Sequence, residues 1–188
     1  MMSEKSAEFL SLSELKTIQQ HRWEKQAAYV AETSAFYQNL WQGATPPERL
    51  EDLAQLPFSD KCMLRTSQQQ HPPFGDYLAS SGETVNRLHR TSGTTGQAMN
   101  LALSAKDALQ TAEIGARAQS AAGLGPGHRV VHCLNYQMWM GGFTDHCTLE
   151  ATGALVVPYG LGVTEQLLIT IQEFNITATS STPSYPTI

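Results

Sequence analysis

At residues 91–96 the chain reads Thr91-Ser92-Gly93-Thr94-Thr95-Gly96. The two glycines allow backbone conformations with positive φ and let a ligand approach the main chain closely. The other four residues carry hydroxyl groups that can donate hydrogen bonds to an anion. Such a loop can surround a phosphate with N–H and O–H groups, although the same composition is also common in solvated turns. The flanking sequence decides between these two interpretations.

The residues on either side of the loop exclude a Walker-type phosphate site. That motif requires Gly-x-x-x-x-Gly-Lys-Ser/Thr at the start of a helix, whereas here Gln97 follows the last glycine. Met99, Leu101 and Leu103 alternate with smaller or polar residues, which predicts a strand with one buried face. Residues 85–90 contain few strand breakers and predict the preceding strand. The loop is therefore expected to join two strands and to hold phosphate without a helix dipole.

Downstream of the loop, helix and strand patterns alternate. Ser104 and Asp107 form a Ser-x-x-acid start that predicts a helix to about residue 122, where a glycine-rich segment stops it. Further strands are predicted at 129–134, 154–158 and 176–179, and further helices at 143–152 and 164–174. Strands and helices in this order imply a mostly parallel sheet, in which ligands bind at the carboxyl ends of the strands. Tyr136 and Thr182 follow two such ends.

The N-terminal part is predicted to be a helical arm. Ser13 can cap a helix that begins near Glu14, and residues 48–56 predict a short connecting helix. We therefore expect an α/β protein in which a helical arm over residues 1–55 precedes alternating βαβ units.

Composition excludes several functional classes. The formal net charge of −5 argues against broad nucleic-acid binding. No apolar run approaches membrane-spanning length, and the N-terminus lacks the apolar core of a signal peptide. The three cysteines are widely spaced and odd in number, as suits a reducing cytoplasm. We expect a cytoplasmic protein that binds neither nucleic acid nor membranes.

With these features the sequence resembles the acyl-adenylate-forming (AMP-binding) enzymes, and within them the phenylacetate–coenzyme A ligase-like branch. The phosphate loop of that family reads Ser-Ser-Gly-Thr-Thr-Gly-Lys-Pro, and residues 91–96 match it with Thr91 in the first place. Other matching segments follow the family order: Leu56-Pro57-Phe58-Ser59-Asp60-Lys61, Leu64-Arg65, Pro73-Phe74-Gly75, Asn135-Tyr136, Gly141-Gly142 and Thr182-Pro183-Ser184-Tyr185. The resemblance spans residues 56–185, which makes it far more specific than one glycine loop.

The resemblance implies that residues 56–188 are a partial AMP-binding domain, part of the larger N-terminal domain of an adenylate-forming enzyme. Such an enzyme uses ATP and Mg²⁺ to convert an aromatic or related carboxylic acid into an acyl-adenylate, and then transfers the acyl group to coenzyme A. The resemblance assigns the phosphate-holding role to Ser92, Gly93, Thr94, Thr95 and Gly96. The acid-pocket role passes to Tyr136, Trp139 and Gly142, with ordinary core packing as the alternative for the two aromatic residues. The resemblance assigns no catalytic residue and no metal ligand here.

Two departures from the family pattern keep alternatives open. Gln97-Ala98 stands in place of Lys-Pro, so the loop lacks a positive charge that could contact phosphate. The sequence ends at Ile188, before the remaining family motifs, so we expect an N-terminal fragment that is inactive alone. The alternatives are a non-catalytic nucleotide-binding remnant, a subunit completed by another chain or by a homodimer, and an adenylyl or acyl transferase of the same superfamily.

Histidine and cysteine residues offer further candidate sites. His132-Cys133 and His146-Cys147 could be imagined as zinc ligands, but zinc ligands usually lie roughly two to four residues apart within each half of a site. Cys133 is instead expected to be a buried small hydrophobic residue. His89 is expected to be half-exposed on its strand, with nucleotide contact as the alternative.

Overall fold

The computed structural model describes residues 7–93 and 98–185. Over these residues it contains six α-helices and five strands, in the order α1 (Leu12–Thr33), α2 (Ala35–Leu40), α3 (Lys61–Gln70), β1 (Val85–Arg90), β2 (Asn100–Ser104), α4 (Ala105–Ala121), β3 (Arg129–His132), α5 (Met140–Glu150), β4 (Leu155–Val157), α6 (Thr164–Glu173) and β5 (Ala178–Ser180). Short 3₁₀ turns occur at Ala7–Phe9, Leu50–Gln55 and Gly82–Thr84. The chain divides into two compact units between Gly82 and Glu83.

The first unit contains α1, α2 and α3. Helix α1 is capped by Ser11, whose side chain accepts a hydrogen bond from the Glu14 N–H while the Glu14 carboxylate accepts one from the Ser11 N–H. The prediction of Ser13 as the cap was therefore wrong by two residues, because Glu14 completes a capping box only with Ser11. The predicted connecting helix at 48–56 is the 3₁₀ turn Leu50–Gln55. The boundary at residue 56, between the predicted helical arm and the partial AMP-binding domain that the resemblance implies, stays a prediction.

The second unit is built on a three-stranded parallel sheet in the order β4-β3-β5. Val131 pairs with Val157 on one side and with Thr179 on the other. Val130, Leu149 and Ala154 form the buried core on this sheet, so α5 contributes to it through Leu149. The predicted α/β class with a parallel sheet is confirmed.

Strands β1 and β2 form an antiparallel hairpin in which Arg90 pairs with Asn100. This confirms the predicted strand–loop–strand arrangement around residues 91–96. The expected alternation of burial along β2 was wrong, because Asn100 is buried next to buried Met99. The Asn100 side-chain oxygen accepts a hydrogen bond of 2.9 Å from Arg90 Nε, which offsets the cost of burying an amide.

The helices that follow confirm most of the predicted pattern. Ser104 and Asp107 form the capping box of α4, and Gly123 follows the helix with φ +98°. Helix α5 begins at Met140, three residues before the predicted start. Its first turn contains Gly141 and Gly142, which favour helix poorly and therefore obscured the true start. Among the helices of the described ranges, none combines the length and apolar character needed to cross a membrane.

Candidate functional site

The glycine- and threonine-rich loop has a fixed base. The Thr91 N–H donates to the Met99 carbonyl (2.9 Å), and the Met99 N–H donates to the Thr91 hydroxyl (3.0 Å). Gly93 has φ +66°, in the left-handed region that glycine adopts readily, and Ser92 is exposed. The remaining candidate residues Thr94, Thr95 and Gly96 lie outside the described residues. A closed base, a glycine at positive φ and an exposed hydroxyl fit a loop that binds an anion.

Strand β1 also contacts the segment that follows β3. The Arg90 N–H donates to the Met138 carbonyl (2.8 Å), and His89 Nδ1 lies 3.2 Å from the same oxygen. His89 Nε2 lies 2.7 Å from the Thr144 hydroxyl on α5. Since a carbonyl oxygen only accepts, Nδ1 carries the proton and Nε2 accepts from Thr144. These contacts join the base of the loop to the segment that carries the candidate acid pocket.

The prediction that His89 is half-exposed was wrong, since only 2% of its surface is accessible. Both ring nitrogens have partners inside the unit, which compensates for removing them from water. Burial lowers the pKa of His89. The neutral ring therefore acts as a structural link between β1 and α5.

His132 makes a second link, at the carboxyl end of β3. Its side chain is fully buried, its Nε2 lies 3.0 Å from the Gly142 carbonyl, and its Nδ1 lies 3.0 Å from the Ser180 hydroxyl. Nε2 therefore donates to Gly142, and Nδ1 accepts the Ser180 proton. Burial lowers the pKa of His132, which favours the neutral ring that this arrangement requires. The imidazole holds together the ends of β3 and β5 and the start of α5.

Tyr136 follows β3 and lies between two histidines. Its hydroxyl is 2.9 Å from His146 Nδ1, and the other ring nitrogen of His146, Nε2, is 3.1 Å from the Glu150 carboxylate. The rings of His132 and Tyr136 meet edge to face, with centroids 5.3 Å apart. Burial, with a smaller contribution from the negative charge of Glu150, raises the pKa of Tyr136 to about 12. The phenol is therefore neutral at physiological pH.

Two more side chains, Phe143 and Arg87, extend this arrangement. The Phe143 ring is parallel to the His146 ring, with 6.4 Å between centroids and an interplanar angle of 4°. The Arg87 guanidinium carbon lies 4.6 Å from the centroid of Phe143, in cation–π range. Arg87 Nη1 also lies 3.4 Å from the Thr144 hydroxyl. We call Arg87, His132, Tyr136, Phe143, His146 and Glu150 the Tyr136 cluster.

The other two acid-pocket candidates differ in their surroundings. Trp139 precedes α5 and is 46% exposed. Gly142 is buried, and a Cβ at this position would lie 2.1 Å from the Asn135 carbonyl oxygen. The absence of a side chain therefore allows α5 to approach the segment after β3. The roles of Tyr136, Trp139 and Gly142 in acid binding stay predictions.

Within residues 7–93 and 98–185 there is no group of three or more His, Cys, Asp and Glu side chains placed to hold a metal ion. His132 and His146 instead form the hydrogen bonds described above, and Cys133 is buried as predicted. The sequence pattern suggested a possible zinc ligand at His146 and did not predict its contact with Tyr136. The four-residue spacing of His146 and Glu150 on one helix indicates that pair, whereas the contact with Tyr136 depends on tertiary packing.

The chain is similar to proteins of known function. No protein-family model matches the chain. The chain is 36% identical over 189 residues to a phenylacetate–coenzyme A ligase of Thermus thermophilus, in an alignment that covers 98% of the chain. It is 31% identical over 182 residues to a phenylacetate–coenzyme A ligase of Escherichia coli, in an alignment that covers 95% of the chain. The chain is homologous to the phenylacetate–coenzyme A ligases.

The homology to these ligases covers only part of their length. The chain spans 41% of the Thermus thermophilus ligase and 40% of the Escherichia coli ligase. Solved structures agree with the sequence comparison. A 2-hydroxyisobutyryl-CoA ligase in complex with 2-HIB-AMP and CoA superimposes with a TM-score of 0.85 at 29% identity, over 94% of this chain and 39% of the other. An open conformation of that ligase gives a TM-score of 0.84 at 27% identity. The resemblance found in the sequence is confirmed, as is the fold of a partial N-terminal domain.

Proposed function

We propose that the protein containing this chain is an ATP-dependent carboxylate–coenzyme A ligase that acts on an aromatic or related acid. The observation that carries the proposal is the homology to phenylacetate–coenzyme A ligases over 98% of the chain. A structural relative bound to an acyl-adenylate and CoA supports the same two-step chemistry. The chain alone is proposed to be inactive, and to require the rest of the protein, another chain or a second copy.

The loop at residues 91–96 is proposed to hold the phosphates of ATP, through Ser92, Gly93, Thr94, Thr95 and Gly96. The closed base of the loop and the positive φ of Gly93 support this role, since consecutive N–H groups in such turns form anion-binding concavities. Mg²⁺ would neutralise negative charge on the phosphates. Gln97 follows the loop and can donate a hydrogen bond without contributing a charge.

The acid is proposed to contact Tyr136 and Trp139, beside Gly142. Support comes from their place after the carboxyl end of β3, since ligands of parallel sheets bind at that edge. The exposed ring of Trp139 and the half-buried ring of Tyr136 offer apolar surface to an aromatic group. The free state of Cys62, Cys133 and Cys147 supports a proposed cytoplasmic location.

The test is ATP–pyrophosphate exchange by the complete protein across a panel of aryl and short aliphatic acids. We expect exchange that requires both an acid and Mg²⁺, followed by thioester formation when coenzyme A is added. Absence of exchange with every acid would refute the ligase proposal.

A non-catalytic nucleotide-binding protein is the second candidate, favoured by Gln97-Ala98 in place of Lys-Pro. Calorimetry with ATP and AMP, combined with the exchange assay, distinguishes it, because this candidate binds nucleotide and supports no exchange. In the ligase, the substitution Gln97→Lys should tighten ATP binding by adding a positive charge next to phosphate.

A further inference from the structure

The hydrogen bonds of the Tyr136 cluster determine where its protons lie. The Glu150 carboxylate only accepts hydrogen bonds when ionised, so the nitrogen 3.1 Å from it, His146 Nε2, carries a proton. When the ring carries this proton alone, the other nitrogen is an acceptor. In that singly protonated state, His146 Nδ1 accepts the hydroxyl proton of Tyr136 across 2.9 Å.

This arrangement is held from several sides. The His146 side chain is only 12% exposed, and the Phe143 ring is stacked parallel to it. Arg87 covers Phe143, and the ring of His132 packs edge-on against Tyr136. Neither His146 nor Tyr136 can therefore turn without losing contacts, which keeps His146 Nδ1 next to the Tyr136 hydroxyl.

The direction of this hydrogen bond limits what Tyr136 can offer a ligand. A phenol has one proton and two acceptor lone pairs, and the proton is used by His146. In the part of the chain that the structure describes, the contact with His146 is the only hydrogen bond of this hydroxyl. The Tyr136 oxygen is left with lone pairs alone, so toward a ligand it acts as an acceptor.

We propose that His146 is a positioning residue that makes Tyr136 a hydrogen-bond acceptor in the acid pocket, so that the site selects acids whose organic group carries a donor such as a hydroxyl or an amino group. This proposal rests on the proposed function, which places Tyr136 beside the acid. Glu150 sets the tautomer of His146, and Phe143 sets its orientation. An acid with a methyl group in place of the donor would leave the lone pairs of the Tyr136 oxygen without a hydrogen-bond donor, which is unfavourable at a half-buried site.

The first experiment measures the tautomer and needs no activity. Nitrogen-15 NMR of the imidazole rings in the complete protein is recorded at about pH 8, above the ordinary histidine range. His146→Phe identifies the His146 resonances. We expect a protonated Nε2 and an unprotonated Nδ1 whose resonance shifts in Tyr136→Phe. A protonated Nδ1, or a resonance indifferent to Tyr136→Phe, would overturn the positioning role.

The second experiment measures selectivity between two acids that differ only in a hydroxyl or a methyl group at one ring position. We expect kcat/KM to favour the hydroxylated acid, and Tyr136→Phe to reduce that preference by about threefold to tenfold, the range of one net hydrogen bond. The KM for ATP should stay unchanged, which a general loss of structure would not allow.

Two matched variants distinguish the contributions of the two ring nitrogens of His146. The amide of His146→Asn lies near the position of Nδ1 and can still accept from Tyr136, whereas that of His146→Gln reaches the position of Nε2 and contacts only Glu150. His146→Gln should lose the preference as Tyr136→Phe does, and His146→Asn should keep part of it. Combining His146→Gln with Tyr136→Phe should add no further loss. An equal preference for the hydroxylated acid in all variants would refute the inference. A lack of exchange with every acid would instead refute the proposed function, and the NMR experiment would then decide the role of His146.

Discussion

Replacing Gly142 with alanine tests how closely α5 must approach the segment after β3. The added Cβ would lie 2.1 Å from the Asn135 carbonyl oxygen and 2.7 Å from the Tyr136 Cα. Both are backbone atoms, so no side-chain rotation can relieve the overlap. To reach an ordinary C···O separation of about 3.3 Å, the helix and the segment must separate by roughly 1.2 Å. That movement would also stretch the hydrogen bond between His132 and the Gly142 carbonyl.

The magnitude follows from two opposing effects. Overpacking a well-packed interior costs about 1–3 kcal/mol, and a backbone overlap of this size belongs at the upper end. Alanine in a helix is favoured over glycine by about 1 kcal/mol. The net loss in the free energy of unfolding is therefore about 2 kcal/mol, which corresponds to a decrease in Tm of roughly 4–8 °C for a chain of this length.

Thermal unfolding followed by circular dichroism measures this effect. Gly125→Ala is the matched control, because a Cβ at Gly125 meets no atom within 4 Å and its φ lies outside the left-handed region. The control should change Tm by less than about 2 °C, in line with surface substitutions of within ±0.5 kcal/mol. Equal Tm values for Gly142→Ala and the control would show that α5 does not depend on this close approach.

Three further predictions concern the same unit. Ser104→Ala removes the capping box of α4 and should lower the free energy of unfolding, measured by urea denaturation, by about 1 kcal/mol. The control Ser120→Ala, on the exposed face of the same helix, should have little effect. Equal losses in the two variants would contradict the capping role. Burial lowers the pKa of both His89 and His132, so the unfolded chain binds more protons below the ordinary histidine pKa of about 6.5, and the free energy of unfolding should fall as the pH drops below that value. A flat stability profile between about pH 7.5 and 5.5 would contradict this. Gly93→Ala places a Cβ at φ +66°, which should cost about 1–2 kcal/mol and weaken ATP binding in calorimetry; unchanged ATP binding would argue against the phosphate-holding role.

Much of the fold could be predicted because it follows from local pattern. The helix start at Ser104 and Asp107, the strand–loop–strand around residues 91–96 and the alternating strands after Arg129 all depend on neighbouring residues. The errors occurred where two local signals competed. Ser11 and Ser13 both precede Glu14, and only the spacing of the capping box distinguishes them. Gly141 and Gly142 weakened the helical pattern before Phe143, at a point where tertiary packing requires Gly142.

The sequence by itself determined the homology, the α/β class and the glycine- and threonine-rich loop between β1 and β2, since each depends on the order and type of residues along the chain. Only the tertiary structure decided what surrounds Tyr136. Its contact with His146, the stacking of Phe143 and the position of Arg87 depend on how β1 and the segment after β3 pack against α5. The burial of His89 depends on the same packing, since its partner Thr144 lies 55 residues away along the chain. Packing between such distant segments leaves no periodic pattern in the sequence, because each contact is set by the shape of the whole unit.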